Sequence, residues 1–365
     1  FKYPNTLPAG NSSSVTITIS DAYDMAYNKM DDNNSNTIAI DNTNPPISSS
    51  SLATDNSTVT LIFEESVYSN VNGSGTPTVN NFSFSISGGT ATLSSTTPSS
   101  IQVSNSNKTY ALGISLSGTP NGSETLTISQ HSSNKIYDSA GNEFTSTVDV
   151  TLNDKTAPTI STYSPSHTST ISSNSADIIL TFNEDVDEGS GNIVLTPSSG
   201  DPPITIDVTT SLVTFSSNVC TINPSSNLDA TGVTYTVTMD SGVIKDTNGN
   251  DFAGISGTTY QFNSLDTTAP TVSSYSPAQG ATGQTIGNNI TLTFNENIQQ
   301  GTGNIVLTPN SGTTLTIPIS DSQITIPSPG NTLTINPTDD LQALTTWTVT
   351  MPAGIVKDSS NNNLF

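Results

Sequence analysis

The sequence predicts an all-β protein assembled from tandem repeats, and three observations carry that prediction. Apolar and polar residues alternate along short runs such as VTITIS, ADIILTF and NITLTF, the period-2 pattern of strands with one buried face. No stretch of twelve residues repeats apolar positions at helical spacing. And one phrase is written twice: LTFNEDVDEGSGNIVLTP from Leu180 returns as LTFNENIQQGTGNIVLTP from Leu292, a shift of 112 residues, about the size of one small all-β domain.

Three markers recur in fixed order. The first is a linker, Asp-x-Thr-x-Pro, at Asp41 (DNTNP), Asp154 (DKTAP) and Asp266 (DTTAP). The second is a strand ending in phenylalanine and an acid: LIFEE through Glu65, LTFNE through Glu184 and LTFNE through Glu296. The third is a turn after a β-rich run: IYDSAGNEF from Ile136, IKDTNGNDF from Ile244 and VKDSSNNNLF from Val356. Linker spacings of 113 and 112 residues set the period. The chain therefore reads as C-terminal strands of a partial repeat (1–44), then domains at 45–153, 154–265 and 266–365. The last of these stops before the strand that TTYQFNSLD supplies in its predecessor. Such a chain reads as a segment excised from a longer array. The alternative is a filament subunit, a homopolymer in which the strand NTIAID of one chain fills the open edge of another's last domain.

Charge narrows the function. Thirty acids stand against seven lysines and no arginine, giving −23. Such a chain cannot neutralise a phosphate backbone, which excludes nucleic acid and anionic membrane surfaces. No apolar run approaches the length of a membrane span. An acidic surface attracts cations and keeps an exposed fibre soluble. The single cysteine, Cys220, rules out an intrachain disulfide, and it stands where the later copy has Leu333. It reads as a small buried hydrophobe rather than a nucleophile. Abundant Ser, Thr and Asn with almost no thiol suit an extracellular setting. No signal peptide begins the chain, which opens on FKYPNTLPAG.

The string TAPTVSSYSPAQGATGQTIGNNITLTFNENIQQGTGNIVLTP resembles the bacterial Ig-like repeat of the SbsA surface-layer type. It is also similar to the repeats of very large cell-surface proteins linked to swimming. The matching features are the TAP opening, the YSP turn, LTFNE, GxGNIVL, TINP, a TYTVT-like strand and KDxxGNxF. They cover 154–265 and 266–365 well and 45–153 only through its linker, FEE and DSAGNEF. The resemblance implies seven-stranded Ig-like β-sandwich domains of surface layers, adhesins and appendages, in a linear array whose partners are neighbouring repeats of the same or an identical chain.

In an Ig-like sandwich the second strand ends at the pole where the linker enters, and the loop before the last strand lies there too. The linker acid, the retained glutamate and the acid of the final turn then converge. The candidate ligand sets are Asp41, Glu65 and Asp138 at the first junction, and Asp154, Glu184, Asp185 and Asp246 at the second. Asp266, Glu296 and Asp358 form the third. Carboxylates crowded from distant segments suit calcium, which takes six to eight oxygens. Counting nearby acids ranks the middle junction strongest and the third weakest. The competing reading makes Asp-x-x-Gly-Asn an ordinary tight turn, with Lys245 and Lys357 pairing Glu184 and Glu296.

Catalysis finds no support. His131 and His167 sit in Ser/Asn-rich loops outside any HExxH or GxSxG pattern. Trp347 occupies the place of Tyr235 on a strand (TWTVTM, TYTVTM), a core-packing or tyrosine-corner position rather than a sugar platform. A glycan-binding module would need exposed aromatics on loop tips, and the sequence offers no such cluster.

Overall fold

The computed structural model describes residues 13–18, 25–27 and 35–362. The chain divides into two compact units, Phe1–Ala157 with Asn248–Asn250, and Pro158–Thr247 with Asp251–Phe365. Apart from one 3-10 turn at Val79–Asn81, the regular structure of the described residues is all strand.

In the first unit, Ser13–Thr18 pairs antiparallel with Ser35–Ile40. The rest of the partial repeat read at 1–44 lies outside the described residues, save 25–27 and 41–44. The complete repeat that follows stacks two sheets. One orders Ile47–Leu52, Thr58–Phe63, Thr109–Gly113 and Ile101–Ser104, and the other orders Val148–Thr151, Thr125–Gln130 and Phe82–Ser87. The alternation in TVTLIF does what it predicts: Val59, Leu61 and Phe63 are buried while their neighbours are half-exposed. They join Phe82, Phe84, Leu126 and Ile128 in one core. Phe63 meets Tyr110 and Phe144 edge-on, with ring centres 5.8 and 5.2 Å apart.

The second unit holds two further sandwiches. In the repeat from Pro158, one sheet orders Ile160–Ser164, Ile178–Phe182, Val219–Ile222 and Val213–Ser216. The facing sheet orders Ile204–Asp207, Asn192–Pro197, Thr234–Met239 and Gln261–Asn263. Two four-stranded sheets exceed the seven strands the resemblance implies, and a short pair, Val186–Glu188 with Ile244–Asp246, adds to them. The final repeat copies the first sheet as Val272–Ser276, Ile290–Phe294, Thr332–Ile335 and Ile324–Thr325. Its facing sheet has three strands, Leu315–Pro318, Asn304–Pro309 and Trp347–Thr350. Among the described residues nothing matches Gln261–Asn263 there. The paired glycines of GSG and GTG have a steric cause: a Cβ on Gly189 would collide with the Gly242 carbonyl oxygen, and one on Gly301 with that of Gly354.

Cys220 is fully buried opposite Leu180 and Phe215, and burial pushes its thiol up to about 12. Both histidines serve loops. His131 Nδ1 accepts the N–H groups of Ser133 and Asn134, and His167 Nδ1 accepts that of Gln261. Tyr235 makes a corner, its hydroxyl accepting the Asp229 N–H at 3.0 Å.

Candidate metal centres

Each acidic set begins with the linker. The residue two beyond the linker aspartate folds back onto its carboxylate. Asp41 Oδ1 accepts the Thr43 N–H (3.0 Å) and hydroxyl (2.7 Å), Asp154 Oδ1 the Thr156 N–H (2.8 Å), and Asp266 Oδ1 the Thr268 N–H (3.1 Å) and hydroxyl (3.0 Å). These Asp-x-Thr turns are short-range and written in the sequence.

In the second unit, Asp266, Glu296 and Asp358 converge, each offering an oxygen within 4.8 Å of the others. Glu296 follows the strand Ile290–Phe294 and Asp358 follows Val356–Lys357, so the fold and not proximity in sequence assembles them. Asp358 is 1% exposed. Its Oδ1 accepts the Asn362 N–H and its Oδ2 the Asn362 side-chain amide, both at 2.8 Å. Glu296 Oε1 is buried and accepts no hydrogen bond. Burial, then the charges of Asp266 and Asp358, push the Glu296 carboxyl above its usual range, with Asn295 opposing weakly. A carboxylate oxygen held dry beside two other acids is an unbalanced arrangement. At an effective dielectric of ~20, a pair of unit charges about 5 Å apart repels by about 3 kcal/mol.

The first unit repeats the pattern with Asp41, Glu65 and Asp138, again within 4.8 Å. Asp138 is fully buried. Its Oδ1 accepts the N–H groups of Ala140 and Asn142 and its Oδ2 the Asn142 amide. Glu65 is raised by burial, then by Asp138 and Asp41, with Lys108 working against them. Thr43 holds Asp41 below the usual carboxylate range.

Of the middle set, Asp154 belongs to the first unit, while Glu184, Asp185 and Asp246 belong to the second. Asp154 and Asp246 are buried, Glu184 is half-buried and Asp185 is exposed. Lys357 does not compete for the third set through its ammonium: Nζ donates to Asn361 Oδ1 at 2.7 Å. In the first repeat Lys135 pairs instead with Glu143, 2.7 Å away.

Sequence reasoning read the asparagine of this turn as a turn-former and gave it no bond to the linker. The Asn142 amide also donates to the Asp41 carbonyl (3.3 Å) and the Asn362 amide to the Asp266 carbonyl (3.1 Å). Each therefore ties a turn aspartate to the linker backbone. The signal was present as a fixed Asp-x-x-x-Asn spacing at Asp138, Asp246 and Asp358. The linkers are gripped from behind as well. The Pro120 carbonyl accepts the Lys155 N–H and the Thr156 hydroxyl, both at 2.9 Å, and the Ala230 carbonyl accepts the Thr267 N–H at 2.8 Å.

All donors in these sets are hard oxygens, the ligand chemistry of calcium rather than of a transition metal. The unpartnered Glu296 Oε1 fits a group that brings positive charge into the cluster.

The Bacterial Ig-like domain family matches residues 154–264 and 266–365. No curated protein sequence matches the chain. Among solved structures, the FN1–FN3 domains of chicken CNTN1 align over 84% of this chain and 90% of theirs, at 8% identity and a TM-score of 0.27. The S-layer protein rSbsC(31–844) aligns over 84% of this chain and 52% of its own, at 15% identity and a TM-score of 0.23. Domains 1–6 of the surface layer protein SbsC align over 88% of this chain and 58% of theirs, at 14% identity and a TM-score of 0.22. The chain thus spans little more than half of either S-layer structure. The family match carries the assignment.

Proposed function

The chain belongs to the bacterial Ig-like domain family, and from that premise we propose that it is a non-enzymatic, extracellular stalk or fibre segment of a surface adhesin or appendage, stiffened by calcium at its joints. The repeats are of the SbsA type, bounded as 45–153, 154–265 and 266–365 after a partial repeat at 1–44. Their task is mechanical: to hold a distance and a direction. The observation that carries this reading is the linker at Asp266, held by the preceding repeat through Ala230 and by the following one through Asn362. A joint bonded on both sides resists bending more than a free tether of Gly and Ser does.

Calcium would be held by Asp41, Glu65 and Asp138 in the first repeat and by Asp266, Glu296 and Asp358 in the last. By sequence equivalence, Asp154, Glu184 and Asp246 form the middle set. The ion supplies charge neutralisation. The chain supplies carboxylates already fixed by Asn142, Asn362 and the Asp-x-Thr turns, so little ordering remains to oppose binding.

The test is calorimetry of the chain in chelator and in millimolar calcium, with scattering to follow particle length. Saturating a site at about a hundred times its Kd adds about 2.7 kcal/mol, which reads as a rise of several degrees in Tm. A Tm and length indifferent to calcium would sink the ion and leave the acids as turn-formers. A particle that bends freely in both conditions would sink the stalk.

A further inference from the structure

The first and third acidic sets share their three carboxylates and differ in what stands beside the glutamate. One backbone bond, made in every repeat, locates the difference. The N–H of the strand-ending phenylalanine donates to a carbonyl across the sheet: Phe63 to Lys108 (2.8 Å), Phe182 to Asn218 (2.8 Å) and Phe294 to Asn331 (2.7 Å). The preceding position is matched in the same way, with Val67 N–H on Asn107, Val186 on Ser217 and Ile298 on Gly330. Lys108, Asn218 and Asn331 therefore occupy one place in the fold.

The two asparagines act alike there. The Asn218 amide donates to the Phe182 carbonyl at 2.8 Å and the Asn331 amide to the Phe294 carbonyl at 3.1 Å, a neutral clasp on the strand end. Lys108 reaches one residue further, and its Nζ donates to the Glu64 carbonyl at 2.7 Å. That carbonyl belongs to the peptide bond leading into Glu65, where the ammonium works against the neighbouring acids. Glu64 stands where the other repeats carry Asn183 and Asn295, whose side-chain oxygens accept the N–H groups of Thr159 and Thr271. Glu64 is exposed and Lys108 half-buried, so water screens the added acid more than the added cation. In the third set Asn331 is neutral, Lys357 turns to Asn361, and Glu296 Oε1 stays buried without a donor. No oxygen of Glu65 is both buried and unpartnered.

We infer that Lys108 is a built-in counter-cation that grades the joints. The set of Asp41, Glu65 and Asp138 then takes calcium on the order of tenfold more weakly than the set of Asp266, Glu296 and Asp358. The inference rests on the calcium reading and adds a regulation to it: the array loads its joints in order as calcium rises. A fixed positive charge beside the carboxylates supplies part of the neutralisation that the ion supplies elsewhere, and it repels the ion itself. The first joint is thereby the more stable when empty and the less responsive when calcium arrives.

The test is a calorimetric titration of the whole chain with calcium alone. Glu65→Gln and Glu296→Gln identify each set by the binding that it removes. The expected wild-type result is a weaker class lost with Glu65→Gln and a tighter class lost with Glu296→Gln. Lys108→Asn, which installs the residue of the other two repeats, should tighten the weaker class on the order of tenfold and leave the tighter one unmoved. Lys108→Arg keeps the charge and should leave both classes in place. Equal affinities in the wild type, or a Lys108→Asn chain that binds as the wild type does, overturn the grading and leave calcium at the joints. Weaker binding by Lys108→Asn also overturns it, by making the lysine a structural support of the set. A chain that takes up no calcium at all fails one step earlier, sinking the calcium reading and the grading with it.

Discussion

The second and third repeats share much of their wording, yet they differ in depth. Their first sheets match: Leu180 and Phe182 are 0% and 1% exposed, and Leu292 and Phe294 are 3% and 1%. Their second sheets do not. Tyr235, Val237 and Met239 are buried where Trp347, Val349 and Met351 are half-exposed. The strand sequences TYTVTM and TWTVTM differ at one position, so the cause lies outside them: among the described residues Thr234–Met239 is flanked by Gln261–Asn263 as well as Asn192–Pro197, while Trp347–Thr350 pairs with Asn304–Pro309 alone. Alternation tells which face of a strand turns inward. The neighbouring strand decides how far that face is covered.

The most forceful way to break this comparison is to make the second repeat resemble the third. Phe262→Ala removes a fully buried ring and should destabilise that repeat by about 3–5 kcal/mol, read by urea unfolding. A loss below about 1 kcal/mol would show that the last strand is not what buries Tyr235. Next in size is the response to calcium. Glu296→Gln should erase the calcium-dependent rise of the third repeat while Glu65→Gln leaves it intact. In chelator, Glu296→Gln should raise stability, because the buried repulsion is gone. A wild-type rise that survives both substitutions would place the ion elsewhere.

A smaller effect follows from pH. The Glu296 carboxyl titrates above its unfolded value, so ionising it destabilises the fold. In chelator the third repeat should gain stability as pH falls from neutral toward the unfolded glutamate value of about 4.3. Glu124 has the opposite sign. Burial raises it, but the N–H groups of Ala91, Thr90 and Asn121 more than offset that and leave it lowered. Its contribution to the first repeat is complete above about pH 4.3 and fades as pH falls through the folded value. Melting followed by Trp347 emission between pH 7 and 5 would contradict the Glu296 account if stability fell. The smallest expectation concerns Cys220, buried where the third repeat has Leu333. Its thiol should resist a disulfide reagent at pH 8 in the native chain and react at once in urea.

Much of the fold was legible because a repeat states its own period. The markers at Asp154, Phe182 and Asp246 recur so regularly that strand order and the pole shared by the acids follow from topology. The grouping of Asp266, Glu296 and Asp358 was readable for the same reason. What the sequence withheld was local. Charge counting placed the third set last, since it sums formal charges and is blind to whether one oxygen, Glu296 Oε1, is sealed from water and donors. The grip of Pro120 and Ala230 on the linkers was also hidden, because a backbone carbonyl leaves no trace in residue identity. The exposure of Tyr275 escaped for a third reason: the cover of this position comes from far along the chain, as Tyr260 covers Tyr163 in the second repeat, and no window around Tyr275 contains it.

The closing strand Gln261–Asn263 ends three residues before Asp266, the first ligand candidate of the next joint. Closure of one sandwich and construction of the following joint are therefore consecutive events along the same short stretch of backbone. A chain released into solution from its amino terminus presents the second repeat first as an open-edged sandwich, with Tyr163 and Tyr235 lacking the rings of Tyr260 and Phe262. That interval ends only when the final dozen or so residues of the repeat emerge. Sequential release thus fixes an order of assembly, domain by domain, and leaves one sticky edge exposed at a time rather than many at once.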